Sequence, residues 1–259
     1  MFSTQPRCLY RHNQLADVIC QLRFPEILSI SSNVPAVFQD AIRDAYPQYA
    51  AHKEIPAPKI IGTAGHFSLE NQPENINYQF TSEDGKWRIN LTSRFISLAC
   101  TQYPGWEEFA RRLDKPLAAF IQIYKPGYFE RVGLRYLNFI SRKDLALEDC
   151  PFSELFQSCY LGPLQEADVP EQTVTRCGVD TELAIRGGCR VKIHAGPGLV
   201  KQNGKADGEV RFIFDQDLFM PGKVPVNLSA GALETLHGQA YSIFRGAITD
   251  TLHEALDPM

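Results

Sequence analysis

No stretch of this chain approaches the roughly 18 consecutive apolar residues that a membrane-crossing helix needs. Nor does Met1 to Ala16 show the basic-then-apolar order of a secretory signal. Paired cysteine motifs are missing too. The seven cysteines, Cys8, Cys20, Cys100, Cys150, Cys159, Cys177 and Cys189, are odd in number and contain no C-x-x-C, which fits neither a closed disulfide framework nor a zinc ribbon. Reduced thiols in a soluble, cytoplasmic protein are the expectation. Positive charge is not in excess: the formal net charge of −4 argues against non-specific nucleic-acid binding by the whole surface. The chain has no G-x-S-x-G, no P-loop and no G-x-G-x-x-G. His253-Glu254 begins like H-E-x-x-H, but Asp257 stands where the second histidine belongs. No catalytic residue, metal or cofactor is therefore indicated.

What is present is the patterning of an α+β protein of 259 residues, long enough to bury a substantial core without staples. Residues 1–14 are polar and read as an arm whose ordering needs a partner surface. From Leu15, Val18, Cys20, Leu22 and Phe24 alternate with Asp17, Gln21 and Arg23, the period of a half-buried strand. Ser31 to Asn33 offer cap chemistry before Pro35, and Val34, Val37, Phe38, Ala41, Ile42 and Ala45 follow at helical spacing. Pro56 and Pro58 mark an extended connection, with a short strand near His66 to Leu69. Ile76, Tyr78 and Phe80, a turn at Ser82 to Gly85, and Trp87, Ile89 and Leu91 predict a hairpin. The apolar parity then switches to Ile96, Leu98 and Cys100, which requires a bulge or tight turn at Thr92 to Arg94. Trp106 to Tyr124 repeats at helical spacing, with a kink or break expected at Pro116. A strand follows from Phe129 to Ile140.

Residues 15–145 thus run as a ferredoxin-like β-α-β-β-α-β half with an extra strand. Residues 146–172 form a connection with a short helix around Phe152, Leu155 and Phe156. Residues 173–259 form a β-β-β-α half with strands at Val174 to Ile185, Arg190 to Ala195 and Glu209 to Phe219, a mobile Gly196 to Gly208 loop, and a long final helix. The expected architecture is a two-layer sandwich of largely antiparallel sheet with helices on one side, the halves either separate or sharing one sheet.

Strand parity singles out one set of polar residues. Gln21, Arg23, Arg88, Asn90, Arg131 and Arg135 all fall opposite the core-facing positions, and Gly133 leaves room between the last two arginines. Arginine forks suit carboxylate and phosphate; the competing reading pairs them with acids of the second half such as Asp180, Glu182 or Asp215. Asp215 and Asp217 share a face and form either a metal or acid–base pair or a solvated edge. His194, His237 and His253 read as surface histidines. Tyr103, Trp106, Tyr124, Tyr128 and Phe129 read as core, with a pocket lining as the alternative.

The opening strand, a helix ending in Tyr46-Pro47, Trp87-Arg-Ile-Asn-Leu, Phe95-Ile-Ser-Leu, Tyr103 with Trp106-Glu-Glu-Phe, and Arg131-Val-Gly-Leu-Arg-Tyr-Leu-Asn together resemble a sporadically distributed, uncharacterised family of bacterial proteins of about this length. The resemblance implies a bacterial cytosolic protein and supplies no reaction. The functional expectation is a binding protein that meets an anionic ligand or partner (a small molecule, nucleic acid or protein) through Arg23, Arg88, Asn90, Arg131 and Arg135. The alternatives are an enzyme acting on a phosphorylated or nucleotide-like substrate, and a structural protein that forms a homo-oligomer.

Overall fold

The computed structural model describes residues 1–54, 59–63, 66–70, 75–202 and 205–259, with side chains described for 1–53, 75–200 and 207–259. Alternation sets its centre. In β1 (Leu15–Arg23) Val18, Cys20 and Leu22 are fully buried, and the strand lies antiparallel between β7 (Phe95–Cys100) and β8 (Phe129–Ile140). With β6 (Trp87–Leu91) beyond β7, and helices between β1 and β6 and between β7 and β8, this is the expected β-α-β-β-α-β unit. The parity switch is a tight turn. Thr92 N donates to Phe95 O, and the Thr92 hydroxyl accepts from the amides of Arg94 and Phe95.

Two strands extend this unit past β6: β5 (Asn75–Thr81) and, at the sheet edge, β2 (Gln48–Glu54). The sequence reading treated the β2 region as connection. On the other side β8 pairs with β11 (Lys205–Val224), which pairs with β10 (Arg190–Gln202), which pairs with β9 (Val179–Ala184). All nine strands form one antiparallel sheet in the order β2-β5-β6-β7-β1-β8-β11-β10-β9. The two halves therefore meet along the β8–β11 ladder. A separate hairpin is formed by β3 (Lys59–Thr63) and β4 (His66–Glu70); Pro56 and Pro58 lie outside the described residues.

Helices pack on one side of the sheet, and the apolar faces explain which ones. In α3 (Trp106–Tyr124), Trp106, Phe109, Leu113 and Phe120 are buried. In α5 (Ser229–Ala247), Leu233, Leu236, Ala240 and Ile243 are buried, and the helix contacts β8 and β11. Short helices α1 (Leu28–Ser32), α2 (Ala36–Ile42), α4 (Phe152–Leu155) and α6 (Asp250–Ala255) complete the layer.

Three local expectations are corrected, and a fourth is filled in. The helix expected after Asn33 is α2, but a further helical turn, Leu28–Ser32, precedes it, and Val34 and Val37, expected on its apolar face, stay 66% and 67% exposed. Pro116 does not divide α3. The carbonyl its ring leaves without an amide donor, Arg112 O, accepts from the Tyr46 hydroxyl at 3.0 Å. Of the Gly196 to Gly208 segment, the described residues 196–202 and 205–208 are strand and not loop, with Gly196, Pro197, Gly198 and Leu199 of β10 facing Ile213, Phe212, Arg211 and Val210 of β11. Pro197 is tolerated there because β9 ends its pairing at Ala195, so β10 is an edge strand beyond that point. The N-terminal arm finds its partner surface within the chain. Ser3 N donates to Ser242 O at 2.9 Å, Tyr241 donates to Pro6 O at 2.9 Å, and Tyr10 bridges to Pro258.

Candidate functional site

Parity places six residues on the helix-free face, and the register puts them in adjacent rows. Arg88 faces Ala99, which faces Ile19, which faces Arg135. One row on, Asn90 faces Ser97, which faces Gln21, which faces Gly133, while Arg23 stands directly opposite Arg131.

The charges on this face alternate by strand: Asp180 and Glu182 on β9, Arg190, Lys192 and His194 on β10, Asp215 and Asp217 on β11, Arg131 and Arg135 on β8. They pair accordingly. His194 Nδ1 lies 2.8 Å from Asp180, and Arg190 lies 3.4 Å from Glu182. Arg135 grips Asp215 through Nε at 2.7 Å and Nη2 at 2.5 Å, a contact that holds its guanidinium pKa above the usual value. Arg131 donates to both oxygens of Asp217 at 2.6 and 2.7 Å and lies over the Phe219 ring at 4.6 Å.

The space expected at Gly133 is filled by Arg131 itself, since a Cβ at Gly133 would collide with its guanidinium. That corrects the expectation of room at Gly133; Arg131 and Arg135 follow the competing reading of the sequence, with Asp217 and Asp215 as their counter-ions. Arg23 is exposed and has no ion pair among the described residues. Arg88 is half-buried and draws on Asp17, whose carboxyl burial pushes up while Arg88 and then Arg135 pull it down. Asn90 donates to the Ser97 hydroxyl at 3.3 Å.

A second site lies on the helix side, where the sequence favours core and offers a pocket lined by aromatics such as Tyr103 as the alternative. A cavity of about 360 Å³ opens between the N-terminal arm, the start of α3, α5 and the core face of β8 and β11. Its polar floor comes from positions whose parity is apolar elsewhere on the same strands. Tyr136 and Asn138 follow Val132 and Leu134 on β8, and Gln216 follows Phe212 and Phe214 on β11, directly opposite Tyr136. His237 does the same on α5, between Leu233, Leu236 and Ala240. It is buried, not a surface histidine.

The ring of His237 stacks on Trp106 with centroids 4.4 Å apart and planes within 8°, and Trp106 Nε1 donates to Glu234 at 2.7 Å. Tyr136 and His237 Nδ1 share a 2.6 Å hydrogen bond. Burial, reinforced by Arg7, lowers the His237 pKa to about 3, so the ring is neutral at pH 7. Between neutral partners the phenol is the better donor, which leaves the imidazole proton on Nε2. That Nε2, Gln216 Oε1 and the Tyr103 hydroxyl are buried without a hydrogen-bond partner of ordinary geometry. Tyr103 and Tyr136 are close enough to influence each other's ionisation. Burial pushes Tyr103 up to about 12 and Tyr136 well above its usual value.

With His237 held neutral at pH 7 and Tyr103 and Tyr136 pushed up by burial, these three groups are arranged for hydrogen bonding. Among the described residues no cluster of three or more His, Cys, Asp or Glu side chains is placed to hold a metal ion. No protein-family model matches the sequence, and no curated protein is significantly similar to it. The signal that marks the cavity was in the chain nonetheless: Tyr136, Asn138, Gln216 and His237 are polar residues at core-facing positions.

Proposed function

We propose that this is a binding protein, and that the cavity beneath its N-terminal arm holds a small ligand. The observation that carries this reading is the set of buried polar atoms without partners at one cavity: Tyr103 Oη, Gln216 Oε1 and His237 Nε2. Leaving a buried polar group unsatisfied costs about 1–3 kcal/mol, and a cavity that gathers three of them is built to be filled by something polar. The test is a thermal melt against a library of small polar metabolites. Compounds that raise the melting temperature of the wild type should lose most of that effect in a Tyr103→Phe, Gln216→Leu double variant. Stabilisation that survives both substitutions, or no stabilisation by any compound, contradicts the proposal.

A second reading keeps an anionic partner on the open sheet face, favoured by one observation: Arg23 is exposed, without an ion pair among the described residues, and Arg131 opposite it is turned away to Asp217. In that reading Arg23→Gln with Arg88→Gln weakens binding of a phosphorylated or nucleic-acid probe; unchanged affinity ends it. No helix of the described residues is long and apolar enough to cross a membrane; a bacterial, cytoplasmic setting belongs to the proposal.

A further inference from the structure

We infer, building on the cavity reading above, that the ligand is a small organic acid: a carboxylate held by Arg7, Tyr103 and the Nε2–H of His237, with an apolar body against the remaining wall. The first support is charge. Two arginines, Arg7 and Arg11, line the cavity, and no Asp or Glu side chain does. Arg11 is occupied by Asp257 at 2.9 Å. Arg7 has only a loose contact, 3.9 Å from a Glu107 side chain that is 82% exposed. Among its lining side chains the cavity therefore carries one poorly neutralised cation and no carboxylate. Its field reaches the interior, where Arg7 depresses His237 and works against burial at Tyr103 and Tyr136.

The second support is hydrogen-bond polarity. With Tyr136 donating to His237 Nδ1, the interior offers an unpartnered N–H at Nε2 and, beside Tyr136, a Tyr103 hydroxyl without a hydrogen bond of ordinary geometry. A carboxylate has two oxygens and about four acceptor sites, enough for a guanidinium, an N–H and an O–H together. The His237 donor is held in place from both sides, by the Trp106 stack and by the Tyr136 bond. Gln216 Oε1, the one unpartnered acceptor, takes a single O–H or N–H of the ligand.

Other head groups fit less well. An ammonium meets the Arg7 field with the same sign. A neutral amide leaves that field unanswered. A phosphate monoester carries about −1.5 to −2 charges near pH 7, more than one loosely paired arginine balances. An apolar body would lie against Leu15, Ala240, Phe244 and Leu256, which share the wall with the polar Asn13, Gln14 and Asn138. At about 360 Å³ the space is near the small end for ligand pockets.

The experiment uses the full chain at pH 7.5 and fixed salt, with calorimetric titration of carboxylates from propionate to phenylacetate, the amide of each, phenethylamine and phenyl phosphate. At least one acid should bind ten-fold or more tightly than its amide, with the amine and the phosphate weaker still. In Arg7→Gln, whose melting temperature without ligand should match the wild type, that preference should fall to within two-fold. His237→Phe, which keeps the ring against Trp106, should lower acid affinity even if it also lowers stability. Acid and amide binding alike in the wild type overturns the acid inference and leaves the cavity reading standing. Binding that neither the double variant of Tyr103 and Gln216 nor Arg7→Gln alters places the ligand elsewhere and removes both. Absence of binding by every probe also counts against both.

Discussion

Arg131 lies along its own strand, across the bare backbone of Gly133, to reach the carboxylate of Asp217. Glycine at this position serves the arginine's path. Gly133→Ala should push the guanidinium off Phe219 and Asp217, and denaturant melts should show a loss of about 1–2 kcal/mol, between an exposed ion pair and a well-made charged hydrogen bond. The cost should not add to that of Arg131→Gln, because both remove the same contact; full additivity would mean the two residues are independent. Parity made the face of Arg131 and Arg135 readable, since it follows from the chain alone. Their partners were not readable, because Asp215 and Asp217 reach them only through the β8–β11 register, set between strands about 80 residues apart. His237 supplies a second test at this scale. Its folded pKa of about 3 lies below the ordinary 6.5, so the unfolded chain binds a proton that the folded chain does not. Its contribution to stability is complete above pH 6.5 and falls away as the pH drops toward 3. The stability of the wild type minus that of His237→Gln should decline across this window by up to about 1.4 kcal/mol per pH unit; a flat difference would show that the ring protonates freely.

Two elements depend on contacts that no local pattern discloses. Helix α3 carries Pro116 in its interior, and the carbonyl freed at Arg112 is satisfied from Tyr46, whose hydroxyl burial pushes up to about 12. Tyr46→Phe should therefore lower stability by about 1–2 kcal/mol, with hydrogen exchange rising in the middle of α3; equal protection in both proteins would separate the proline from the tyrosine. The sequence argues for a kink or a break at Pro116 because it offers no sign of a donor 66 positions away. The N-terminal arm follows the same logic. Its backbone at Met1 and Ser3 packs so closely on Gly246 of α5 that a Cβ there would overlap it. Gly246→Val should lift the start of the arm, speed its cleavage by a non-specific protease and weaken any ligand held beneath it, while the sheet stays intact. Unchanged cleavage would mean that the arm is held by its C-terminal contacts at Asp257 and Pro258 alone. The arm was legible as polar and separate; its seat was not, because that seat is built from residues near the other end of the chain.

At the scale of the whole molecule, a nine-stranded antiparallel sheet presents two unlike faces. The open face carries strand-by-strand alternation of acids and bases, and most of those charges are paired with one another. The helix side is apolar except where Tyr136, Asn138, Gln216 and His237 interrupt it, and there the arm, α3 and α5 leave a cavity. The alternating patterns made the α+β class, the ferredoxin-like unit and the last long helix as far as Ala247 readable from the residues, but not the extended break at Ile248 and Thr249 that separates α6 from it. They pointed to the charged face as the place of function, because exposed arginines are conspicuous in a sequence and buried unpartnered atoms are not. The most direct test is a crystal structure of the full chain with the tightest-binding small acid. The account predicts ligand density in the cavity, with carboxylate oxygens within hydrogen-bonding distance of Arg7, Tyr103 and His237 Nε2. Density on the open face beside Arg23, with the cavity holding only water, would contradict it.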